Sequence, residues 1–349
     1  EINDFLSQVI TNKNVRKYII NLMSTFIHGS TKNEKFHVWS GSGGNGKSKL
    51  IELLEFALGD YSCKMNIQNL TSKRGDAGAA NPEMARTQGR RFLNLQEPDE
   101  KCKLNTGLMK EMTGGDKIIC RALYKEPVEF KPQFKMVLTC NQKPQLPNDD
   151  EGTWRRVILI EFNSKFSPNP KGNWLNYEDE VISIKDHNIN RANCIFTDRW
   201  IPENEEFPQF PINEDLNDKF KYWTEPFMSM LINQYSKKEP LIEPVEILEY
   251  TKEYRMTNDF AKLFIDEVLI KCETGSIKIN ELYLRYKKWT NDNDAKTTGN
   301  QFSRSDLMNY MNNHYPEYRS KSEKSNNQWK GIRIKLDDDF IEEDTDDLN

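Results

Sequence analysis

Long apolar runs and a secretory leader are both missing from this sequence. No uninterrupted apolar stretch approaches the roughly 20 residues that a membrane-spanning helix requires. The first residues, Glu1-Ile2-Asn3-Asp4, lack the basic and apolar segments of a signal peptide. We therefore expect an intracellular protein without a membrane partner. Because the chain begins at Glu1 and not at Met, we also expect it to be a fragment of a longer protein.

Paired cysteines are missing as well. The six cysteines stand far apart with no CxxC pair, and the four histidines do not cluster beside them. This spacing argues against a structural zinc site and against a disulfide framework. Reduced cysteines that serve as small core residues are the expected alternative.

The net charge of −5 combines a basic body with an acidic tail. Residues 337–349 carry eight acidic side chains and no basic one, so the rest of the chain has a net charge of +3. A run of this kind is typical of a solvated chain end. The overall charge therefore does not exclude a nucleic-acid partner.

The length of 349 residues predicts more than one domain, because single cores usually stop growing below that size. Apolar residues recur at helical spacing from Ile2 to Phe26, which predicts a helical lead-in over residues 1–35. Short apolar runs then alternate with helical patterns, as in a buried parallel sheet. The segment 163–211 is rich in Asn, Pro and charge, and we interpret it mainly as loop and connection.

A glycine-rich segment lies between a predicted strand at 36–39 and a predicted helix that runs to Leu58. It matches GxxxxGK[ST] and consists of Gly41, Ser42, Gly43, Gly44, Asn45, Gly46, Lys47 and Ser48. The N–H groups of such a loop close around phosphate oxygens, and the following helix points its positive end at them. We predict that ATP binds here, with Lys47 at the β and γ phosphates and Ser48 on Mg²⁺. A glycine turn without a ligand is the alternative.

Two polar residues follow the next predicted strands. Glu97 follows the run 92–95 after Gln96, and it is the predicted acid that holds Mg²⁺ and polarises the attacking water. Gln96 stands where many related motors have a second acid, and Asp99 or Glu100 are candidates to replace it. Asn141 follows the run 136–139, where its side chain would contact the γ phosphate or the lytic water. The alternatives are a surface acid and an ordinary turn asparagine.

Paired arginines come directly after Gly152-Thr153-Trp154. A guanidinium from Arg155 or Arg156 suits the spreading charge of a γ phosphate bound to a neighbouring subunit, and we favour Arg156 slightly. The alternative is an ordinary surface charge.

The segment 118–134 predicts a hairpin with Tyr124 and Lys125 near its tip. An aromatic ring beside an ammonium group can grip single-stranded DNA by stacking and charge. An exposed structural hairpin is the competing interpretation.

The last third of the chain has a different character. Helical patterns at 260–270, 281–289 and 301–311 precede an alternating run at 328–336, which together predict a winged-helix-like domain at 241–336. Residues 278–335 contain twelve basic and six acidic side chains. The predicted fold class is therefore α/β, with a P-loop parallel-sheet core at 36–240.

These motifs, in this order and spacing, resemble those of superfamily 3 helicases, and most closely the poxvirus-type primase-helicases of nucleocytoplasmic large DNA viruses. The resemblance is strong over residues 36–166 and looser in the last third. It implies a modified AAA+ fold, a hexameric ring, Mg-ATP hydrolysis between subunits, and translocation on single-stranded or forked DNA. By position, Lys47, Ser48, Glu97, Asn141 and Arg155 or Arg156 take the site roles, and Lys110 is a further basic candidate.

The resemblance also implies an upstream primase domain, replication proteins as partners, and a viral replication site in the host cytoplasm. Two other functions stay open. One is a DNA-binding or partner-recruiting module that nucleotide only organises, and the other is a small-molecule P-loop kinase.

Overall fold

The computed structural model describes residues 1–71, 80–96, 104–144, 146, 150–171, 173–175, 181–183, 200–201, 208–292, 302–320 and 327–336. Contacts divide the chain into two units. Unit 1 comprises Glu1–Leu146 and Asp150–Tyr254, and unit 2 comprises Pro147–Asp149 and Arg255–Asn349. The domain boundary predicted after residue 240 thus differs from the contact-based division.

Five parallel strands form the centre of unit 1, in the spatial order β2-β3-β6-β1-β7. Their bounds are β1 (Phe36–Ser40), β2 (Ser62–Asn66), β3 (Phe92–Gln96), β6 (Lys135–Cys140) and β7 (Val157–Glu161). The sheet confirms the predicted α/β class. The order brings the ends of β3 and β6 beside the end of β1, where the glycine segment begins.

Helices cover both faces of this sheet. One core includes side chains of α1 (Ile2–Val9), α2 (Lys13–Ser24), α3 (Lys47–Leu58) and α8 (Leu216–Ser236). The other includes side chains of α4 (Gln68–Thr71), α5 (Pro82–Ala85), α6 (Thr106–Gly114), α7 (Glu151–Trp154) and α9 (Val245–Thr257). Because strand side chains alternate, Trp39 enters the first core while Val38 enters the second.

Short strands complete unit 1. The predicted hairpin is present as β4 (Ile118–Cys120) paired antiparallel with β5 (Val128–Phe130). The segment interpreted mainly as loop contains β8 (Lys165–Ser167), β9 (Asn173–Leu175), β10 (Val181–Ser183), β11 (Trp200–Ile201) and β12 (Gln209–Pro211). Of these, β12 pairs with β8, and β10 and β11 both pair with β9.

Unit 2 contains α10 (Phe260–Val268), β13 (Leu269–Lys278), α11 (Ile279–Asp292), α12 (Arg304–His314) and β14 (Gln328–Ile334). The strands β13 and β14 pair antiparallel, and the helices pack on them around Phe264, Leu282 and Trp329. The three helices and the last strand lie where the sequence predicts them. The strand β13 was not predicted, and the helix predicted to reach residue 270 ends at Val268.

Among the described residues, none of the helices is long and apolar enough to cross a membrane.

Candidate functional site

The glycine segment forms a turn of left-handed residues between β1 and α3. Gly43, Gly44 and Gly46 have φ values of 86°, 63° and 80°, which side-chain-bearing residues rarely adopt. Gly46 precedes the first residue of α3, so the unpaired N–H groups of that helix face the loop. This geometry suits an anion.

The loop is braced from three sides by residues far away in the sequence. The amide N–H of Phe166 donates to the Gly44 carbonyl at 2.7 Å. The Ser164 hydroxyl lies within hydrogen-bond distance of two carbonyl oxygens, those of Val9 (3.3 Å) and Asn45 (3.2 Å), which share its one proton. The Asn45 side chain donates to the Phe162 carbonyl at 3.4 Å and accepts from the Lys47 amide at 3.4 Å. Asn45 therefore supports the loop from inside.

The Lys47 ammonium group lies over the loop and is buried. Its Nζ atom donates to the Gly41 carbonyl at 2.9 Å and to Oδ1 of Asn141 at 3.3 Å. Only 5% of Lys47 is exposed. The structure thus brings the glycine segment and Asn141 together, although 94 residues separate Lys47 from Asn141.

An open cleft of about 600 Å³ lies at this edge of the sheet. It is lined by the loop and by the ends of two strands, and it includes Ser48, Gln96 and Thr139. Ser48 is exposed to it. Glu97, the predicted acid, lies outside the described residues, and so do the candidate substitutes Asp99 and Glu100.

The paired arginines differ in their surroundings. Arg156 is buried, with 8% of its side chain exposed, and it donates to the Gly152 carbonyl at 2.8 Å and to the Glu34 carboxylate at 2.6 Å. Arg155 has 66% of its side chain exposed and lies 3.5 Å from the same carboxylate. Of the two guanidinium groups, that of Arg155 is the accessible one.

Lys110 is joined to the N-terminal end of α7. Its ammonium group pairs with Asp150, the N-cap residue of that helix, which also accepts from the amide and hydroxyl of Thr153. Burial of Asp150 opposes ionisation, but the hydrogen bonds from Lys110 and Thr153 outweigh it and keep the carboxyl pKa below its ordinary value.

The hairpin presents Tyr124 at its tip. This residue is fully exposed and has a φ of 58°, in the left-handed region. Lys125 beside it is exposed, and its amide donates to the Ala122 carbonyl at 3.2 Å. Ile119 and Leu123 are exposed too, so the tip offers aromatic, aliphatic and basic groups together.

Several contributing residues were not identified from the sequence. Val9, Ser164 and Phe166 give no local signal, because their role depends on contacts across the fold. Glu34 is likewise an ordinary polar turn residue. Asp150 could have been identified as an N-cap candidate, since Asp is among the residues preferred at that position.

One family model matches the segment that contains the glycine loop and the paired arginines. Residues 39–156, from β1 to the paired arginines, match the model of a family described as a family of unknown function, DUF5906.

Full-length comparison finds relatives in large DNA viruses. A protein of Acanthamoeba polyphaga mimivirus with the name "Putative helicase L207/L206" is 36% identical over 326 residues, which cover 92% of this chain and 31% of that protein. "Putative helicase 022R" of Frog virus 3 (isolate Goorha) is 28% identical over 303 residues, 84% of this chain and 28% of that protein. A protein of African swine fever virus whose name is that of a primase is 27% identical over 293 residues, 82% of this chain and 28% of that protein.

The chain is thus homologous to proteins of large DNA viruses whose names are those of helicases and primases. This finding confirms the resemblance to viral primase-helicases. The chain spans less than a third of the length of these relatives.

Among solved structures, the apo structure of the NrS-1 C terminal region (305-718) is similar, with a TM-score of 0.49 and 13% sequence identity. The match covers 76% of this chain and 56% of that one. A likeness at this level carries no argument about function.

Proposed function

We propose that this chain is the ATP-hydrolysing motor of a DNA helicase, with a P-loop AAA+ core of the superfamily 3 type. In this proposal six copies form a ring, and the ring moves along single-stranded DNA in replication. The homology to viral proteins with helicase names supports the class. The remaining support comes from the geometry of unit 1.

One observation carries the proposal. A buried ammonium group, that of Lys47, lies over three left-handed glycines at the start of a helix, and it also contacts a polar residue at the end of a neighbouring parallel strand. Phosphate oxygens fit such a loop because N–H donors, a helix N-terminus and a fixed cation converge there. The cleft above the loop is open enough for a nucleotide to enter.

The residues present fit a triphosphate with its metal. The loop N–H groups and Lys47 would hold the phosphates, and the exposed hydroxyl of Ser48 would ligate Mg²⁺, an ion that prefers oxygen ligands. Bound Mg²⁺ would neutralise charge on the phosphate oxygens. Asn141 would orient the attacking water or contact the γ phosphate.

An arginine supplied by a neighbouring subunit completes the proposed site. Because Arg156 is committed to Glu34 and Gly152 inside its own subunit, the geometry favours Arg155 for the contact across the interface. Arg156 would then hold the turn from which Arg155 projects. The fixed α7, capped by Asp150, gives that turn a defined position.

A second candidate function has one observation in its favour. Gln96, which ends β3 and lines the cleft, is uncharged, whereas many related motors have an acid at this point. A weaker hold on the metal's waters would slow hydrolysis. The chain would then be a DNA-binding or partner-recruiting module that nucleotide organises.

Lys47→Ala in the full chain tests the proposal. We expect this variant to lose ATP binding and DNA-stimulated hydrolysis, measured by calorimetry and phosphate release, with loss of strand separation on a forked DNA. Lys221→Ala is the matched control, since this lysine pairs with Asp218 on the exposed surface of α8. Undiminished hydrolysis by Lys47→Ala would refute the motor. Tight ATP binding by the unaltered chain without unwinding would favour the second candidate.

A further inference from the structure

Unit 2 has the order helix, strand, helix, helix, strand. The chain passes from α10 through β13, α11 and α12, and after α12 residue Arg319 forms an antiparallel bridge with Trp329 in β14. In helix-turn-helix modules, the second helix of the pair is the one that enters a DNA groove. In unit 2, α12 is the second of two successive helices and follows the end of α11 after 11 residues.

Helix α12 has one buried face and one polar face. Leu307, Tyr310 and Met311 are buried in the core of unit 2. Ser305, Asn309 and Asn313 lie at spacings of four residues, so they form one row along the helix, and all three are exposed. The row points away from the core.

The composition of this row is unusual for a solvent-exposed helix face. Asparagine is a poor helix former, while exposed helix positions are commonly filled by Lys, Glu or Gln. The row contains no charge, and each amide carries a donor and an acceptor side by side. The neighbouring acid, Asp306, is occupied in a capping box with Ser303. The row therefore offers hydrogen-bonding groups and no acid.

The segment of unit 2 that contains α12 has a positive charge surplus. Residues 278–335 have a surplus of six positive charges. Among the described residues of this segment, six basic side chains are exposed (Lys278, Lys287, Lys288, Arg304, Arg319 and Lys330), against four exposed acidic ones (Glu281, Asp292, Asp306 and Glu317). An α-helix has the width of the DNA major groove, and the amide of asparagine matches the donor and acceptor that adenine presents there. Phosphate contacts would supply affinity, and the row would supply sequence preference.

We propose that the row Ser305, Asn309 and Asn313 binds base edges in the major groove of duplex DNA and selects sequences that contain adenine. The inference rests on the proposal that the protein acts on DNA, but it concerns duplex and not the translocated single strand. Unit 2 would then direct the protein to particular duplex sites. A protein partner is the competing occupant of the row.

Binding of full-length chain to fluorescein-labelled 30-base-pair duplexes tests the proposal. The unaltered chain is offered a pool with a randomised centre, and recovered sequences are compared with an all-G·C duplex and with a single strand of the same length. We expect adenine-containing duplexes to be enriched. The double variant Asn309→Ala/Asn313→Ala should lose at least roughly 30-fold in affinity for them, because each paired amide contributes about 5- to 150-fold in discrimination. Asn291→Ala, at an exposed position on α11, is the matched control and should bind as the unaltered chain does.

Alanine is a better helix former than asparagine, so the double variant should not unfold α12. ATP hydrolysis by the double variant should persist, which separates failure of this inference from failure of the motor. Equal binding of all duplexes by the unaltered chain, or unchanged preference in the double variant, would overturn the inference. Capture of a protein by the row with no DNA preference would do the same.

Discussion

Replacing Gly46 by alanine should destabilise unit 1 by more than the same change at Gly43. Both glycines lie in the loop at positive φ, 80° for Gly46 and 86° for Gly43. They differ in the room that each leaves for a Cβ atom. A Cβ atom on Gly46 would lie 2.7 Å from Cγ2 of Val9 and 3.0 Å from Cε2 of Phe166, whereas a Cβ atom on Gly43 meets nothing within 4 Å.

The expected losses of stability follow from backbone strain at positive φ and from overpacking by the added Cβ atom. The left-handed backbone costs an alanine about 1 to 2 kcal/mol at either position. Overpacking against Val9 and Phe166 adds about 1 to 3 kcal/mol at Gly46 alone. The total is therefore about 2 to 5 kcal/mol for Gly46→Ala against about 1 to 2 kcal/mol for Gly43→Ala.

Amide hydrogen exchange is the appropriate measurement, because it reports on each unit separately. Exchange of the β1 amides gives the opening free energy of unit 1, and the β14 amides of unit 2 serve as an internal control. Val9→Ala should then restore part of the loss in the Gly46→Ala background, with a coupling energy of about 1 to 3 kcal/mol. Ser62→Ala, at a half-buried position on β2, is a distant control that should show no coupling.

Two results would contradict this reasoning. Equal losses for the Gly46 and Gly43 variants would show that the contact with Val9 and Phe166 is not restrictive. Additivity of the Val9 and Gly46 changes would show that helix α1 does not support the loop.

Three further predictions follow from the site and its surroundings. Arg156→Ala should lower the free energy of unfolding by about 1 to 3 kcal/mol, since it removes the buried guanidinium's bonds to Glu34 and to the Gly152 carbonyl. Arg155→Ala should change stability by less than about 0.5 kcal/mol yet lose ATP hydrolysis, which returns on mixing with Lys47→Ala subunits. Equal melting temperatures for the two variants would contradict this. Burial, with Lys35 and Lys135 nearby, lowers the pKa of His37 to about 3, so the folded state loses stability as pH falls below the ordinary histidine pKa near 6.5. Between pH 7.5 and pH 5.0, the free energy of unfolding measured in urea should fall by about 2 kcal/mol more in the unaltered chain than in His37→Gln. Identical losses in the two proteins would refute this reasoning. Tyr124→Ala should weaken the binding of an oligo-dT strand by about 5- to 150-fold because base stacking is lost, whereas Tyr124→Phe should bind the strand as the unaltered chain does. Equal affinities of the two variants in anisotropy titrations would exclude a stacking role.

Local patterns were sufficient to predict the elements on which the site depends. The glycine segment lies between β1 and α3 as predicted. The signal for it is local, because the motif and the change from strand to helix periodicity lie within about 20 residues of each other. The hairpin with Tyr124 at its tip was predicted for the same reason. His37 lies in the strand predicted at 36–39 and is buried there.

Long-range arrangement was not predictable in the same way. The contact between Arg156 and Glu34 joins residues 122 positions apart, and nothing near Glu34 distinguishes it from other polar turn residues. The dipeptide alone could not distinguish Arg155 from Arg156, because burial is a property of the fold. The strand β13 was missed because Cys272-Glu273-Thr274-Gly275 lacks the alternation of a half-buried strand.

The hydrogen bond between Lys47 and Asn141 links the glycine loop to the end of β6. An anion that entered the loop would draw the ammonium group toward itself and change the length of that bond. Binding of the anion would then change a contact at the end of β6 through the Asn141 amide. Substitution of Asn141 should accordingly uncouple occupancy from any response beyond β6, even where the anion is still held.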